Sequence, residues 1–448
     1  MLYRLHNNIF IVGLWTVGLL AFLVTNRAYS TITAITVFAF ATQVLLLIWA
    51  AKEESAAHSE KELFFTTLIY SILLGGLIYS VFYYNGTEDL AIDDPDAALY
   101  YRAGMRAQDL GALGNAIRIV NNHPFDDWGA LLLSNFMLAV IPSTIFMIAL
   151  HMLTGALSAV MLFRIGKHVM PETHAYMAGL AYSTSSFLIL FHCTFLKESF
   201  FTFLVIAAVY FFYRAIADDS RLSLLTTAMF VIWIVFYRPA VAAFLIVAFV
   251  SYYAVNQRRG SAISVFLYAA IFVGIVASMA FMQSQMEYYA GDEDAILEES
   301  GSSNYSGGFN FFVGWFASLF GPFPTLFPTE AAGVVPMNLY GAGLMYKLFI
   351  VIPLWVGVFF ALKQVDVLMA PVVAFTVVEI LAAAYVLASF ELRKVMLHIP
   401  FTYVIAFYGL YQLEKNAISP TIKQLMEIVG YFMAIGVLLL WNVIRVKG

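Results

Sequence analysis

The chain is poor in charge, almost without cysteine and free of any basic stripe, and each shortage removes a class of function. Only 11% of its 448 residues are charged, where a soluble domain carries roughly a quarter. A single cysteine, Cys193, leaves no intrachain disulfide and no cysteine-built metal site. No run of Lys and Arg offers nucleic acid a footprint, so none is expected as a partner. The helix–loop pattern also does not repeat as an inverted-repeat transporter requires.

What is present is apolar. Hydrophobic residues make up 62% and the mean hydropathy is +0.85, which describes a polytopic membrane protein. At these lengths only helices satisfy their backbone in lipid, so the expected fold class is all-α. Hydropathy places roughly thirteen spans: 9–25, 31–51, 63–84, 142–165, 174–193, 199–217, 222–237, 239–256, 262–283, 338–362, 367–389, 395–413 and 425–444. The run 9–25 ends on Asn26-Arg27 with no small-residue cleavage site, so an uncleaved span is expected rather than a signal peptide. Lys52, Lys61, Arg164, Lys167, Arg214, Arg221, Arg258, Arg259, Lys363, Lys415 and Lys423 fall in loops on one side. The positive-inside bias makes that side, and the N-terminus, cytoplasmic. The expectation is a multi-pass protein of the plasma (inner) membrane, in contact with its lipids and with its active face extracytoplasmic.

Five stretches organise the chain: 1–84, a three-helix membrane segment; 85–141, a first extracytoplasmic loop with interfacial helices; 142–283, a transmembrane core; 284–337, a flexible loop with an aromatic re-entrant or interfacial element; and 338–448, C-terminal transmembrane helices. In the first loop Tyr101, Met105, Leu110, Leu113 and Ile117 recur at helical spacing among Arg102, Arg106 and Arg118. That pattern predicts one amphipathic helix lying on the membrane surface. A second is predicted over 127–140. The acidic, then Gly- and Ser-rich 287–308 reads as a lid.

Three sets of residues could carry chemistry. Asp93, Asp94 and Asp96 crowd three carboxylates into four positions, an arrangement that raises a pKa or invites a metal. The alternative is a solvated acidic loop. Lys197, Arg238 and Arg393-Lys394 lie at outer helix ends in short connections, where cations are disfavoured. Three such connections at one depth predict a shared phosphate or pyrophosphate ligand. The competing reading pairs Lys197 with Glu198 and Arg393 with Glu391, or leaves each on lipid headgroups. Lys347 and Glu379 fall inside consecutive spans and form a candidate pair, with Lys347 also able to snorkel. His151 and His398 carry the same ambiguity, a lone helical His being more often packed than liganded. Glu198, Tyr100 and Trp315 complete the expected cavity, Trp315 as a surface for a sugar to stack on.

The stretch Ala149-Leu150-His151-Met152-Leu153-Thr154-Gly155, its continuation Leu162-Phe163-Arg164-Ile165-Gly166-Lys167, and Phe195-Leu196-Lys197-Glu198-Ser199 resemble the GT-C superfamily of polytopic glycosyltransferases. The likeness is to bacterial relatives of the protein mannosyltransferases and of the lipid A aminoarabinose transferase, and to members found with exopolysaccharide genes. Asp96, Tyr100-Tyr101 and Ala103 are similar to that group's Asp-containing first outer loop. Gly321-Pro322-Phe323-Pro324 and the Arg393 helix with Pro400 are similar to later landmarks. Two additional N-terminal spans precede the loop, and Asp-Asp-Pro-Asp stands where the group has Asp-Glu.

The resemblance implies a GT-C core and a polyprenyl-phosphate or -diphosphate sugar donor. It also implies a glycan, lipid or protein acceptor on the outer face, in cell-envelope glycan or polysaccharide synthesis. Asp96, Asp94 or Asp93 would serve as base, Asp94 and Asp96 being the ligands of a divalent cation (Mg or Mn) if one is used. Lys197, Arg238, Arg393 and Lys394 would hold the donor phosphate. The alternatives are a polymerase or ligase of lipid-diphosphate-linked glycans, which needs the cations but no such acid, and a lipid-linked glycan transporter.

Overall fold

The computed structural model describes residues 38–39, 41–47, 50, 59–83, 95–193, 195–256, 335–364, 366–382, 396–416, 432 and 436, with backbone alone at 81–83, 95 and 335–349. Asp93, Asp94, Trp315, Arg393, Lys394 and the 284–334 stretch lie outside them. So do the spans at 9–25 and 262–283.

Every regular element among the described residues is helical. Among the described residues four helices are long and apolar enough to cross a membrane: α1 (Glu60–Tyr83, counted as a span over Glu60–Ser80), α6 (Thr144–Lys167), α9 (Lys197–Asp218) and α11 (Pro239–Asn256). Shorter apolar helices stand beside them: α10 (Arg221–Val235), α13 (Ala370–Ala382) and the Ile350–Gln364 part of α12 (Val335–Gln364). The chain is a helical membrane protein.

The predicted span 174–193 is two helices, α7 (Glu172–Ser183) and α8 (Ser186–Cys193). The break falls in the polar run Ser183-Thr184-Ser185-Ser186, all buried. Thr184 turns its hydroxyl back onto the Leu180 carbonyl at 2.7 Å and Ser185 onto Ala181 at 2.8 Å. Hydroxyls that bond the preceding turn compete with the helix ladder and let it bend. Gln43 donates to the Ala181 carbonyl at 3.0 Å, and Ser185 meets the Tyr403 hydroxyl at 3.1 Å. Helices α6, α7, α8, α9 and α14 (Ile399–Lys415) carry the deepest part of the core around Phe163, Tyr176, Phe187, Phe201 and Tyr403.

The first loop folds as a unit of its own at one end of this bundle. The single helix predicted from Tyr100 is instead α2 (Pro95–Met105), α3 (Ala107–Leu110) and α4 (Ala112–Asn122), interrupted at Arg106 and Gly111. The predicted apolar stripe divides accordingly. Tyr101 and Met105 pack on the core, while Leu113 and Ile117 remain 74% and 58% exposed. What fastens the unit is polar. Asn115, buried, donates to the Ala103 carbonyl at 2.7 Å and to Asn135 Oδ1 at 2.8 Å, and Asn135 donates to the Ala112 carbonyl at 2.8 Å. These bonds bind α2 and α4 to α5 (Trp128–Val140). A buried amide with its donors satisfied fixes register as an apolar contact cannot.

Candidate functional site

The sequence around Pro124 dictates how the loop meets the bundle. Phe125–Asp127 forms a 3₁₀ turn leading into α5. Phe125, Trp128 and Phe236 cluster with ring centroids 4.9 to 6.4 Å apart, seating this turn on the connection between α10 and α11. The Gly129 N–H donates to the Phe236 carbonyl at 2.8 Å. A Cβ on Gly129 would lie 2.2 Å from the Tyr237 ring, so only glycine permits this approach.

Asp127 occupies the N-cap position of α5, where a carboxylate ordinarily accepts from the helix's free N–H groups. It makes no such bond. Its carboxylate is turned instead toward the bundle, where it pairs with Lys197 and accepts from the Tyr100 hydroxyl at 3.3 Å. Lys197 opens α9, and a cation on a helix's first turn works against the helix dipole. Asp127 offsets that cost. The Lys197 ammonium also lies 5.8 Å from the centre of the Tyr100 ring. Just before it, Phe195 takes a φ of +61°, a left-handed backbone that costs a bulky residue about 1–3 kcal/mol and is held only by its surroundings. The Phe195 ring packs against Tyr101 and His151.

Arg238 sits in the tight turn between α10 and α11, its N–H bonded to the Ile234 carbonyl at 2.9 Å, with Pro239 starting the next helix. Proline suits that first position because its missing N–H is not needed there. The Arg238 guanidinium lies 3.5 Å from Glu198 Oε1 and 6.0 Å from the centre of the Phe201 ring, and that ring stacks on Tyr237 at 5.2 Å.

Five predicted residues therefore share one end of the bundle: Lys197, Arg238, Glu198, Tyr100 and Asp96. The half-buried Asp96 stands in the first turn of α2. Burial, and then the negative charges of Asp127, Glu198 and Asp96, hold the Tyr100 phenol well above its ordinary range. All three carboxylates thus bear on one buried ring.

Lys197 pairs with Asp127 of the loop and not with its neighbour Glu198, which faces Arg238. Glu379, the expected partner of Lys347, meets the imidazole of His398 in a fully buried pair. Lys347 is placed only by its backbone on α12. Of the two carboxylates assigned to a divalent cation only Asp96 is described, and among the described residues no three His, Cys, Asp or Glu side chains gather as a metal site.

Sequence reasoning missed Asp127, Ser199 and Tyr237. Asp127 reads as an ordinary helix cap, and nothing local shows that its carboxylate is used elsewhere. Glu198 Oε2, the Ser199 hydroxyl and the Tyr237 hydroxyl are buried without a hydrogen-bond partner among the described residues. Each such atom costs about 1–3 kcal/mol when unsatisfied; three fall around the start of α9, and others at His151, His174, His192 and His398. A scan of family models and a comparison with curated proteins both return no match for this sequence.

Proposed function

We propose that the chain is a membrane-embedded glycosyltransferase. It would move a sugar from a polyprenyl-phosphate or polyprenyl-diphosphate donor to a hydroxyl of a glycan, lipid or protein on the extracytoplasmic face of the plasma membrane. The observation that carries this reading is the convergence at one end of the bundle of Lys197, paired with Asp127 of the first loop, and Arg238, paired with Glu198 of α9. The resemblance of these same stretches to GT-C enzymes supports it.

In this mechanism Lys197 and Arg238, with Arg393 and Lys394, offset the charge that develops on the departing phosphate. One such donor contributes about 2.7–4 kcal/mol to a transition state. Asp96 or Asp94 orients or deprotonates the acceptor hydroxyl, a task that requires hydrogen-bond reach to it. The same two carboxylates are the ones that would hold a divalent cation. Tyr100, kept protonated, is a hydrogen-bond donor at every physiological pH.

The test uses the purified full chain in detergent with synthetic polyprenyl-phosphate and polyprenyl-diphosphate sugars, following donor binding and turnover. Arg238→Ala is expected to lose donor binding, and Asp96→Ala to lose turnover while retaining binding. Undiminished turnover in Asp96→Ala removes its role as base and favours the polymerase chemistry. Failure of the wild type to bind any lipid-linked sugar overturns the reading.

A further inference from the structure

Glu198 is the most deeply placed acid of the site, its side chain 3% exposed. A buried carboxylate is expensive unless both oxygens are hydrogen-bonded or ion-paired. Only one oxygen is provided for, and only at 3.5 Å from the Arg238 guanidinium. The other, Oε2, has no hydrogen-bond partner among the described residues. A carboxylate oxygen can only accept, so what it lacks is a donor such as a hydroxyl. Beside it in sequence the Ser199 hydroxyl also has no hydrogen-bond partner among the described residues. Nor does that of Tyr237, whose ring stacks on Phe201 one turn along α9. Ser199 and Tyr237 each offer a donor and acceptor to a polyhydroxylated molecule.

The pair is asymmetric. Arg238 is 29% exposed and Glu198 3%, so an incoming anion meets the guanidinium first. A phosphate binds a guanidinium by two parallel charge-assisted bonds, which a carboxylate at 3.5 Å does not match.

Resting on the glycosyltransferase reading, we propose that Glu198 is the proton acceptor of the transfer and is released for it by the donor. The donor phosphate takes Arg238, and Glu198, freed of its counter-charge, accepts the hydrogen bond of the sugar hydroxyl to be glycosylated. The acceptor's O–H bond breaks, its proton passing to Glu198. The acceptor oxygen bonds the donor's anomeric carbon as the carbon–oxygen bond to phosphate breaks, and that electron pair leaves on the phosphate facing Arg238 and Lys197. Asp96, on the loop, then orients the acceptor rather than taking its proton. The acceptor class is a carbohydrate hydroxyl, matched by the Ser199 and Tyr237 hydroxyls.

The experiment compares wild type, Glu198→Gln and Glu198→Ala in the full chain, with a polyprenyl-phosphate sugar and a soluble oligosaccharide acceptor. Glu198→Gln preserves size and is expected to bind donor at least as tightly as the wild type, since Arg238 no longer has to be taken from a carboxylate, while turnover falls by at least about 100-fold, the lower range for an acid–base group. Glu198→Ala is expected to regain turnover with added sodium formate, which supplies the missing carboxylate. Loss of donor binding in Glu198→Gln, or no rescue of Glu198→Ala, makes Glu198 a support for Arg238 and overturns the proposal. An active wild type with an active Glu198→Gln overturns the proposal alone, whereas a wild type without turnover overturns the glycosyltransferase reading with it.

Discussion

The two ends of the helical bundle treat their charges in opposite ways. At the end away from the loop, Arg164 donates to both Glu60 oxygens at 2.9 and 2.6 Å and to the Tyr210 hydroxyl at 2.6 Å. Nearby, Asp366 accepts from the Leu368 N–H at 3.0 Å and from the Tyr408 hydroxyl at 3.0 Å. The first network ties α1, α6 and α9 together, and the second ties α14 to the connection between α12 and α13. At the loop end, Arg238 stands 3.5 Å from Glu198, three buried polar atoms lack hydrogen-bond partners among the described residues, and Phe195 holds a left-handed backbone. A satisfied network fixes a structure. Unsatisfied groups and local strain gather where a ligand completes the network. On the proposed reading the first end serves as a clamp and the second as the site.

The comparison breaks hardest at the cations. Lys197→Ala and Arg238→Ala should each lower kcat/KM per folded molecule by roughly 100- to 1000-fold, the cost of one charge-stabilising donor, and should also lower the melting temperature, because Asp127 and the buried Glu198 lose their counter-charges. A small loss in kcat/KM would place these residues outside the chemistry.

Next in size is the join between loop and bundle. Gly129→Val drives a side chain into the Tyr237 ring, an overpacking that costs about 1–3 kcal/mol. It should depress turnover at least several-fold by moving Asp127 off Lys197, and a thermal melt with parallel activity assays reads both effects. Full activity would mean that the loop need not dock as it does here.

Arg164→Ala sharpens the contrast from the other side. Its ion pair is 41% and 33% exposed, so solvent screening reduces its worth to about 1 kcal/mol. The expected result is a lower melting temperature with unchanged turnover per folded molecule. Among the site variants the smallest effect is expected of Tyr100→Phe, which keeps the ring beside Lys197 but deletes the bond to Asp127, roughly 0.5–1.5 kcal/mol. A few-fold fall in turnover would register it.

Several parts of this arrangement were legible in the sequence, and for identifiable reasons. The long apolar runs gave the helices at 60–83, 144–167, 197–218 and 239–256 within a few residues, because burial in lipid leaves little else for such a run to do. Lys197 and Arg238 stood out because a cation at that depth contradicts its surroundings. The break at Ser183–Ser186 was hidden by high hydropathy on both sides, and hydroxyls inside an apolar window barely lower it. The division of the loop into α2, α3 and α4 depends on the Asn115–Asn135 bonds between residues 20 positions apart, which no local window contains.

Composition and periodicity by themselves determined that this is a helical membrane protein, where most of its described long helices run, and which cations are anomalous, because these follow from the transfer of side chains between water and lipid. Which acid each cation meets was decided only by tertiary structure. Lys197 passes over its neighbour for Asp127, 70 residues away, and Arg238 takes Glu198. The geometry of the Gly129 approach and the Phe195 turn sets those partners, and Coulomb attraction acts on distance in space, not separation along the chain.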